Sequence, residues 1–183
     1  ICDEVQIGCS RSGTFFSFER ADIVPDIVCM SKSIGGYGIP FAVTLFKRDL
    51  DVFNPGEHNG TFRGCQLSMV AGLAALEMTV EQDIPAQVKA KEKIVKEYLE
   101  KEVKPLLKDE MEIRGIGLTW GIEFNDGKLA RAVLDRCFEK KLIIELAGSN
   151  DSVLKIMPSL VIEDELLLKG LDIVKESMKE ILK

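Results

Sequence analysis

Short apolar runs alternate with polar, glycine-containing loops in the first part of the chain. Such runs end at Cys2, span Ile27–Met30 and span residues 42–46. Runs of this length that are rich in β-branched residues predict buried strands. Residues 65–80 are apolar nearly all round, which predicts a buried helix. These elements together predict an α/β fold.

The second part of the chain has a different pattern. Residues 84–107 and 163–182 carry apolar side chains at helical spacing among many charged ones, which predicts amphipathic helices. Residues 118–124 alternate apolar and polar positions, which predicts a strand with one buried face. Asp126 predicts the start of a helix, and residues 142–144 and 153–156 predict short strands. We therefore predict two domains, residues 1–83 and an α+β unit of residues 84–183.

Composition and charge exclude several classes of protein. Hydrophobic residues make up 46% of the chain and charged residues 30%, which is typical of a soluble globular protein. A net charge of −6, without a dense Lys/Arg stripe, argues against nucleic-acid binding. No apolar run approaches the roughly 20 residues that span a bilayer, so we expect no membrane insertion. The five scattered cysteines form no C-x-x-C pair, which argues against a metal site and favours a reducing cytoplasm.

The chain starts inside a predicted strand. Ile1 and Cys2 are apolar and Asp3 follows at once, whereas a strand usually has about five residues. We therefore expect the chain to be the C-terminal fragment of a longer protein. The alternative is that unrecorded residues precede it.

Two consecutive acids, Asp3 and Glu4, follow the first apolar run. Ligands of open α/β sheets bind at the carboxyl ends of strands, so these carboxylates are candidates for a binding site. A nucleotide-hydrolysing protein has a similar strand, but the chain contains no G-x-x-x-x-G-K-[ST] phosphate loop. The remaining alternative is that both acids act in capping or turns.

Lys32 follows the predicted strand Ile27–Met30 and precedes glycines at 35, 36 and 38. One interpretation is a lysine at the rim of the sheet whose amine reaches water. The other is an amine that forms an imine with a carbonyl compound. Imine formation needs a neutral amine, which partial burial and nearby positive charge favour.

A glycine-framed loop, residues 56–64, runs into the predicted helix of residues 65–80. Thr61 in this loop, with backbone N–H groups, could hold a phosphate at the helix start; the alternative is a simple entry into the helix. His58 is the only histidine, and we assign it no proton-transfer role. Phe15, Phe16 and Phe18 are interpreted as core residues rather than a stacking site for a cofactor.

Three loops thus offer three complementary groups: a carboxylate at Asp3, an amine at Lys32 and a phosphate-binding hydroxyl at Thr61. Pyridoxal phosphate presents the matching set of a pyridine nitrogen, an aldehyde and a phosphate. Once it is displaced by the substrate, a lysine beside such a cofactor is also the natural general base and acid for a 1,3-proton shift.

At this point the chain resembles a known family. The motifs are Asp-Glu-Val-Gln-x-Gly at residues 3–8, Ser-Lys-Ser-Ile-Gly-Gly-Tyr-Gly-Ile-Pro at 31–40 and Pro-Gly-Glu-His-Asn-Gly-Thr-Phe-Arg-Gly at 55–64. They resemble the class III aminotransferases of the pyridoxal-phosphate fold-type-I superfamily, and most closely the diaminobutyrate–2-oxoglutarate aminotransferases of the ectoine-pathway type. The resemblance implies the second half of the cofactor-binding large domain in residues 1–83 and the C-terminal small domain in residues 84–183.

The resemblance also implies a role for each matched residue. Asp3 would pair with the pyridine nitrogen, and Gln6 would hydrogen-bond the 3-oxygen of the ring. Lys32 would be the catalytic lysine that binds the cofactor covalently and transfers the proton. Thr61 would bind the phosphate of the cofactor in the neighbouring subunit, which implies a homodimer or higher homo-oligomer with shared active sites.

A departure from the family pattern occurs near Lys155. Many relatives carry an arginine in an Ile-Arg-x-x-Pro-Pro-Leu run that binds a substrate carboxylate, whereas residues 154–160 here have Lys155 at that place. A lysine supplies a point charge without bidentate geometry. The ectoine-type enzymes are similar here, so the departure supports the resemblance to that subfamily. Lys155, in place of the arginine, is a candidate substrate-binding residue.

The resemblance implies amino transfer from glutamate to L-aspartate 4-semialdehyde, giving L-2,4-diaminobutyrate and 2-oxoglutarate. Two alternatives stay open. One is an ω-aminotransferase for another diamine or ω-amino acid, and the other is a non-catalytic ligand-binding or NTPase-like α/β module. We expect the fragment alone to be inactive, because the family's remaining binding residues lie upstream.

Overall fold

The computed structural model describes residues 1–36, 38–108 and 111–182, and it divides into two units, Ile1–Pro85 and Ala86–Lys183. Tyr37, a member of the motif at residues 31–40, lies outside the described residues. The model is mixed α/β, as the sequence predicts. The identity of the two predicted domains stays a prediction.

The first unit is built on a sheet of three short strands: β1 (Cys2–Asp3), β2 (Ile27–Met30) and β3 (Val43–Phe46). Their order is β1-β2-β3. β1 runs parallel to β2, with Asp3 opposite Cys29, and β3 runs antiparallel to β2. The predicted strands of this region are therefore confirmed, and the ends of β1 and β2 meet at one edge.

One face of β2 forms the small core of the first unit. Val28 and Met30 alternate with less buried neighbours, and they cluster with Cys9 and Ile34. The predicted phenylalanines pack against this cluster, so their assignment to the core is confirmed; they are Phe15, Phe16 and Phe18, joined by Phe41 and Val43. Of Phe15, Phe16 and Phe18, only Phe18 lies in a helical turn, the 3₁₀ helix Ser17–Ala21.

The helix α1 (Gln66–Glu81) is present, but its predicted burial is wrong. Within α1 only Ser68 and Gly72 are buried, while Leu67 and Leu73 are 70% and 57% exposed. The cause is that a single side of the helix is covered. A Cβ added at Gly72 would lie 2.8 Å from the ring of Phe41, and no described residue covers the other apolar sides.

The second unit begins within a long helical segment. α2 (Ile84–Tyr98) continues as a π-helical turn, Leu99–Val103, and a 3₁₀ turn, Lys104–Leu106. The predicted helix of residues 84–107 is thus confirmed, although its hydrogen-bond pattern changes at Leu99.

Four antiparallel strands follow in the spatial order β4-β5-β7-β6. They are β4 (Glu112–Ile116), β5 (Thr119–Glu123), β6 (Glu145–Ala147) and β7 (Val153–Ile156). α3 (Gly127–Glu139) connects β5 to β6, and α4 (Asp164–Ile181) ends the unit. The predictions for residues 118–124, 153–156 and 163–182 are confirmed.

The core of the second unit fills the space between one face of this sheet and the helices. Burial alternates along β5, three of the four residues of β7 are buried, and α3 packs against α4. Asp126 caps α3 by accepting the N–H of Lys128 at 2.9 Å, as predicted. The fully buried side chains include Val88, Val95, Leu99, Val103, Leu118, Ile122, Ala130, Val133, Cys137, Leu154 and Met178.

One sequence prediction is wrong in this sheet, and one strand was not predicted. Residues 142–144 are not a strand. The chain is still bonded to the end of α3 here, because the N–H groups of Lys141 and Leu142 donate to the carbonyls of Phe138 and Cys137. Pairing with β7 starts only at Glu145. β4 was not predicted, since Gly115 interrupts its alternation.

Candidate active site

The parallel pairing of β1 and β2 brings two of the predicted site residues to the same sheet edge. Asp3 lies opposite Cys29, and the next rung joins the N–H of Glu4 to the carbonyl of Cys29 at 2.8 Å. Lys32 follows Cys29 by three residues, which is about 10 Å of extended chain. A carboxylate and an amine therefore follow two neighbouring strand ends.

Asp3 is exposed and its carboxylate is oriented by its own backbone. Oδ1 of Asp3 accepts the N–H of Val5 at 2.9 Å, which closes a tight turn around Glu4. A carboxylate has room for about four hydrogen bonds, so this turn leaves acceptor capacity for a further donor. The arrangement suits a carboxylate that must hold a cationic N–H.

Lys32 has an unusual backbone conformation. It begins the 3₁₀ helix Lys32–Gly35 with φ at +52°, a left-handed value that is uncommon for residues with a side chain. The turn is held by Ser31, whose Oγ donates to the carbonyl of Phe41 at 3.0 Å and whose carbonyl accepts the N–H of Ile34 at 3.3 Å. Backbone strain of this kind clusters at functional sites. The predicted partial burial is not found, since Lys32 is exposed in this chain.

Glu4 differs sharply from its neighbour Asp3. Its side chain is 2% exposed, and its carboxylate accepts three hydrogen bonds from Ser17 and Phe18. Sequence reasoning assigned the binding role to Asp3 but did not predict that Glu4 is buried. Strand alternation could have shown that they lie on opposite faces, but not which of them is buried.

Gln6 and Thr61 are both exposed. Gln6 lies in the turn that follows β1, between Glu4 and the buried residues 8–10. Thr61 lies within residues 44–67, all of which are exposed, and it precedes α1 by five residues. Among the described residues, no hydrogen bond joins Thr61 to Asp3, Gln6 or Lys32. His58 stacks on Phe53 at 5.0 Å.

Lys155 lies in the second unit, on the central strand β7. It is opposite Gly121 of β5 and Glu145 of β6, and its amine forms an ion pair with Glu145. The Lys155 side chain is only 15% exposed. Beside Lys155, a groove of about 330 Å³ lies between residues 142–145, residues 155–158 and α4. Its lining is mostly apolar and includes Leu142, Pro158 and Leu171.

The described residues show neither a metal site nor a membrane-spanning helix. They contain no group of three or more His, Cys, Asp or Glu side chains that could hold a metal ion. None of their helices is both long and apolar enough to cross a membrane. All five cysteines are free thiols.

Comparisons with known proteins agree on one family. The family model described as aminotransferase class-III matches residues 1–178. A diaminobutyrate–2-oxoglutarate transaminase of Wolinella succinogenes is 47% identical over the whole chain, and one of Sporosarcina pasteurii is 45% identical. The chain spans 43% of the length of each of these two relatives.

The fold of the chain is similar to that of a solved aminotransferase. The structure of an aminotransferase from Bacillus anthracis matches 97% of this chain with a TM-score of 0.87 and 28% identity, and the match covers 44% of that protein.

Proposed function

The chain belongs to the class-III aminotransferases, and we propose that the protein containing it transfers amino groups with pyridoxal phosphate as cofactor. The observation that carries this proposal is the sheet edge at which β1 leads to Asp3 and β2 leads to Lys32. Family membership removes the basis for the NTPase-like alternative.

The residues at this edge fit the proposed cofactor. When bound, pyridoxal phosphate supplies an aldehyde that condenses with amines and a ring that withdraws electrons from the bound substrate. Asp3 has an exposed carboxylate that its turn with Val5 already orients. Such a group would accept the hydrogen bond of a protonated ring nitrogen and stabilise its charge.

Lys32 and Gln6 complete the proposed binding residues of the first unit. Lys32 would hold the aldehyde and would move a proton to and from the reacting carbon of the substrate. Gln6 would donate its amide N–H to the ring oxygen, since it lies three residues beyond Asp3 on the same turn. Both side chains are exposed, so they are accessible to a ligand.

For the substrates, we propose glutamate and L-aspartate 4-semialdehyde, which give L-2,4-diaminobutyrate and 2-oxoglutarate. The names of the relatives at 42–47% identity support this choice. Lys155 would bind a substrate carboxylate as a point charge. The alternative is another diamine or ω-amino acid as amino donor.

We propose a second copy of the protein as its partner. Residues 44–67 and most of α1 are exposed although they contain Phe53, Phe62 and Leu67. An apolar surface of this kind is typical of an interface between protein chains. In such a homodimer, Thr61 would bind the phosphate of the cofactor held by the other subunit.

Two further proposals concern location and domains. The five free thiols fit a protein of the reducing cytoplasm. Residues 1–83 would be the second half of a cofactor-binding large domain, and residues 84–183 would be a small domain.

The central test is the visible absorption band of the full-length protein after addition of pyridoxal phosphate. We expect Lys32→Ala to abolish both the band and amino transfer, because no amine remains to hold the aldehyde. The matched control is Lys47→Ala, which removes an exposed lysine that pairs with Asp26. An unchanged band in Lys32→Ala would overturn the proposal.

The substrate proposal is tested with a panel of amine donors and carbonyl acceptors. The largest kcat/KM should belong to the pair of glutamate and L-aspartate 4-semialdehyde. A higher value for another diamine or ω-amino acid would establish the alternative.

Shared sites are tested by mixing two inactive variants. A subunit with Lys32→Ala and a subunit with Thr61→Ala would together form one intact site per mixed dimer. Random exchange of subunits should restore about a quarter of the normal activity. No recovery despite confirmed subunit exchange would refute the shared site.

A further inference from the structure

The buried carboxylate of Glu4 organises the end of β1. Ser17 donates its N–H to Oε2 at 3.0 Å and its hydroxyl to Oε1 at 2.6 Å, while the N–H of Phe18 donates to Oε1 at 3.2 Å. These donors lie 13 and 14 residues further along the chain. The side chain of Glu4 therefore closes a loop that contains Gln6.

The backbone of Glu4 is held as firmly as its side chain. Its N–H donates to Cys29 of β2 at 2.8 Å, and its carbonyl accepts the N–H of Gly8 at 3.1 Å. Gly8 fits tightly against it, because an added Cβ would lie 2.7 Å from the Glu4 carbonyl oxygen. Glu4 thus joins the sheet, the following turn and the 3₁₀ helix Ser17–Ala21.

The orientation of Asp3 depends on this anchor. The N–H that orients the Asp3 carboxylate belongs to Val5, on the far side of Glu4. If Glu4 moves, the N–H of Val5 moves with it. Glu4 also affects Cys9: burial, and then the charge of Glu4, raises the pKa of the Cys9 thiol to about 11.

We infer that Glu4 is a positioning residue, whose buried carboxylate holds Asp3 and Gln6 in the geometry that the cofactor ring requires. This inference rests on the proposed function, which gives Asp3 and Gln6 their roles. Glu4 itself touches no ligand. Its effect passes through the Val5 N–H to Asp3 and through the closed loop to Gln6.

The test compares variants of the full-length apoprotein by titration with pyridoxal phosphate. Glu4→Gln keeps the shape of the side chain but turns an N–H donor toward the donors of Ser17 and Phe18. We expect its affinity for the cofactor to fall about tenfold, as for the loss of a hydrogen bond to a charged group. Amide exchange in residues 5–18 of the apoprotein should become faster.

Two further variants keep the test decisive. Ser17→Ala removes only the hydroxyl donor to Glu4 and should weaken cofactor binding about threefold. This milder variant still tests the inference if Glu4→Gln fails to fold. Glu19→Gln is the matched control, because Glu19 also accepts a backbone N–H of this loop, from Phe16 at 2.7 Å, but is exposed. Its cofactor affinity should stay within about twofold of the unmodified protein.

A double-mutant cycle separates positioning from general stability. If Glu4 acts through Asp3, Glu4→Gln should cost much less affinity in an Asp3→Asn background than alone. Fully additive losses, or lower thermal stability with unchanged affinity, would reduce Glu4 to a structural residue. Unchanged affinity and absorption band in Asp3→Asn would instead refute the proposed role of Asp3 itself.

Discussion

The helices α1 and α4 show how differently the two units treat apolar surface. In α4, Leu167, Leu171 and Val174 lie on one face, and each is at most 3% exposed. In α1 the apolar side chains lie on all sides, and most of them are exposed. The second unit buries one apolar face of α4 in its own core, whereas the first unit leaves most apolar side chains of α1 exposed.

The candidate site lies in the unit with the open surface. Asp3, Gln6, Lys32 and Thr61 are exposed there, on short strands and loops around a small core. In the second unit, Lys155 lies on a central strand over a continuous core. The candidate residues of the first unit therefore lie on exposed strands and loops, whereas the candidate residue of the second unit lies over a closed core.

The largest expected effect comes from separating the units. Residues 86–183 expressed alone should unfold in one cooperative transition, because their core is closed. Residues 1–85 alone should bind a hydrophobic dye strongly and unfold without a sharp transition, since α1 stays uncovered. Denaturant titration and dye fluorescence measure both properties. A cooperative transition in residues 1–85 would contradict this difference between the two units.

A matched pair of leucine truncations gives the next largest effect. Leu154→Ala empties a fully buried position of β7 and should cost about 2–5 kcal/mol of unfolding free energy. Leu73→Ala on α1 removes a side chain that is largely exposed and should cost less than about 0.5 kcal/mol in the 183-residue chain. The same Leu73→Ala change in the full-length protein should cost more, because we propose that the face is covered there. Equal costs in both forms would contradict the covered face.

A smaller effect is expected where α1 is closely packed. Gly72→Ala would place a methyl group 2.8 Å from the Phe41 ring and 3.0 Å from the carbonyl oxygen of Ile34. Overpacking of this kind should lower the unfolding free energy of the full-length protein by about 1–3 kcal/mol. Gly72→Ser should be at least as harmful, whereas Ala74→Ser, at an exposed position, is the control. A stabilised Gly72→Ala variant would show that α1 can move away from Phe41.

The smallest effect concerns a surface ion pair between α3 and α4. Arg136 and Lys140 lower the pKa of Glu180 to about 2 from an ordinary value of 4.5. The charged carboxylate therefore adds stability above pH 4.5, and that contribution is lost as the pH falls through about 2. In Glu180→Gln, unfolding free energy should decline less over this interval than in the unmodified chain.

The control for this pH dependence is Glu77→Gln on α1, an exposed glutamate without an ion pair among the described residues. Its decline with acid should match that of the unmodified chain. Equal pH profiles for Glu180→Gln and the unmodified chain would show that solvent screens the pair completely.

Local pattern was a reliable guide where one face of an element is buried. β7, α4 and the Asp126 cap follow from alternation, helical spacing and capping chemistry, all of which act over a few residues. The motifs at residues 3–8, 31–40 and 55–64 likewise indicated the family, which residues 1–178 match. The failures occur where distant residues decide. β6 begins where β7 offers a partner, and α1 is exposed because no described part of the chain covers it.

The sequence by itself determined most of the elements and the family, because both depend on the order of neighbouring side chains. The difference between Asp3 and Glu4 was decided only by the tertiary structure. Adjacent residues of a strand point to opposite faces, so one acid had to point inward. Ser17 and Phe18, which are brought back by the loop, supply the donors that make Glu4 the buried one and leave Asp3 exposed.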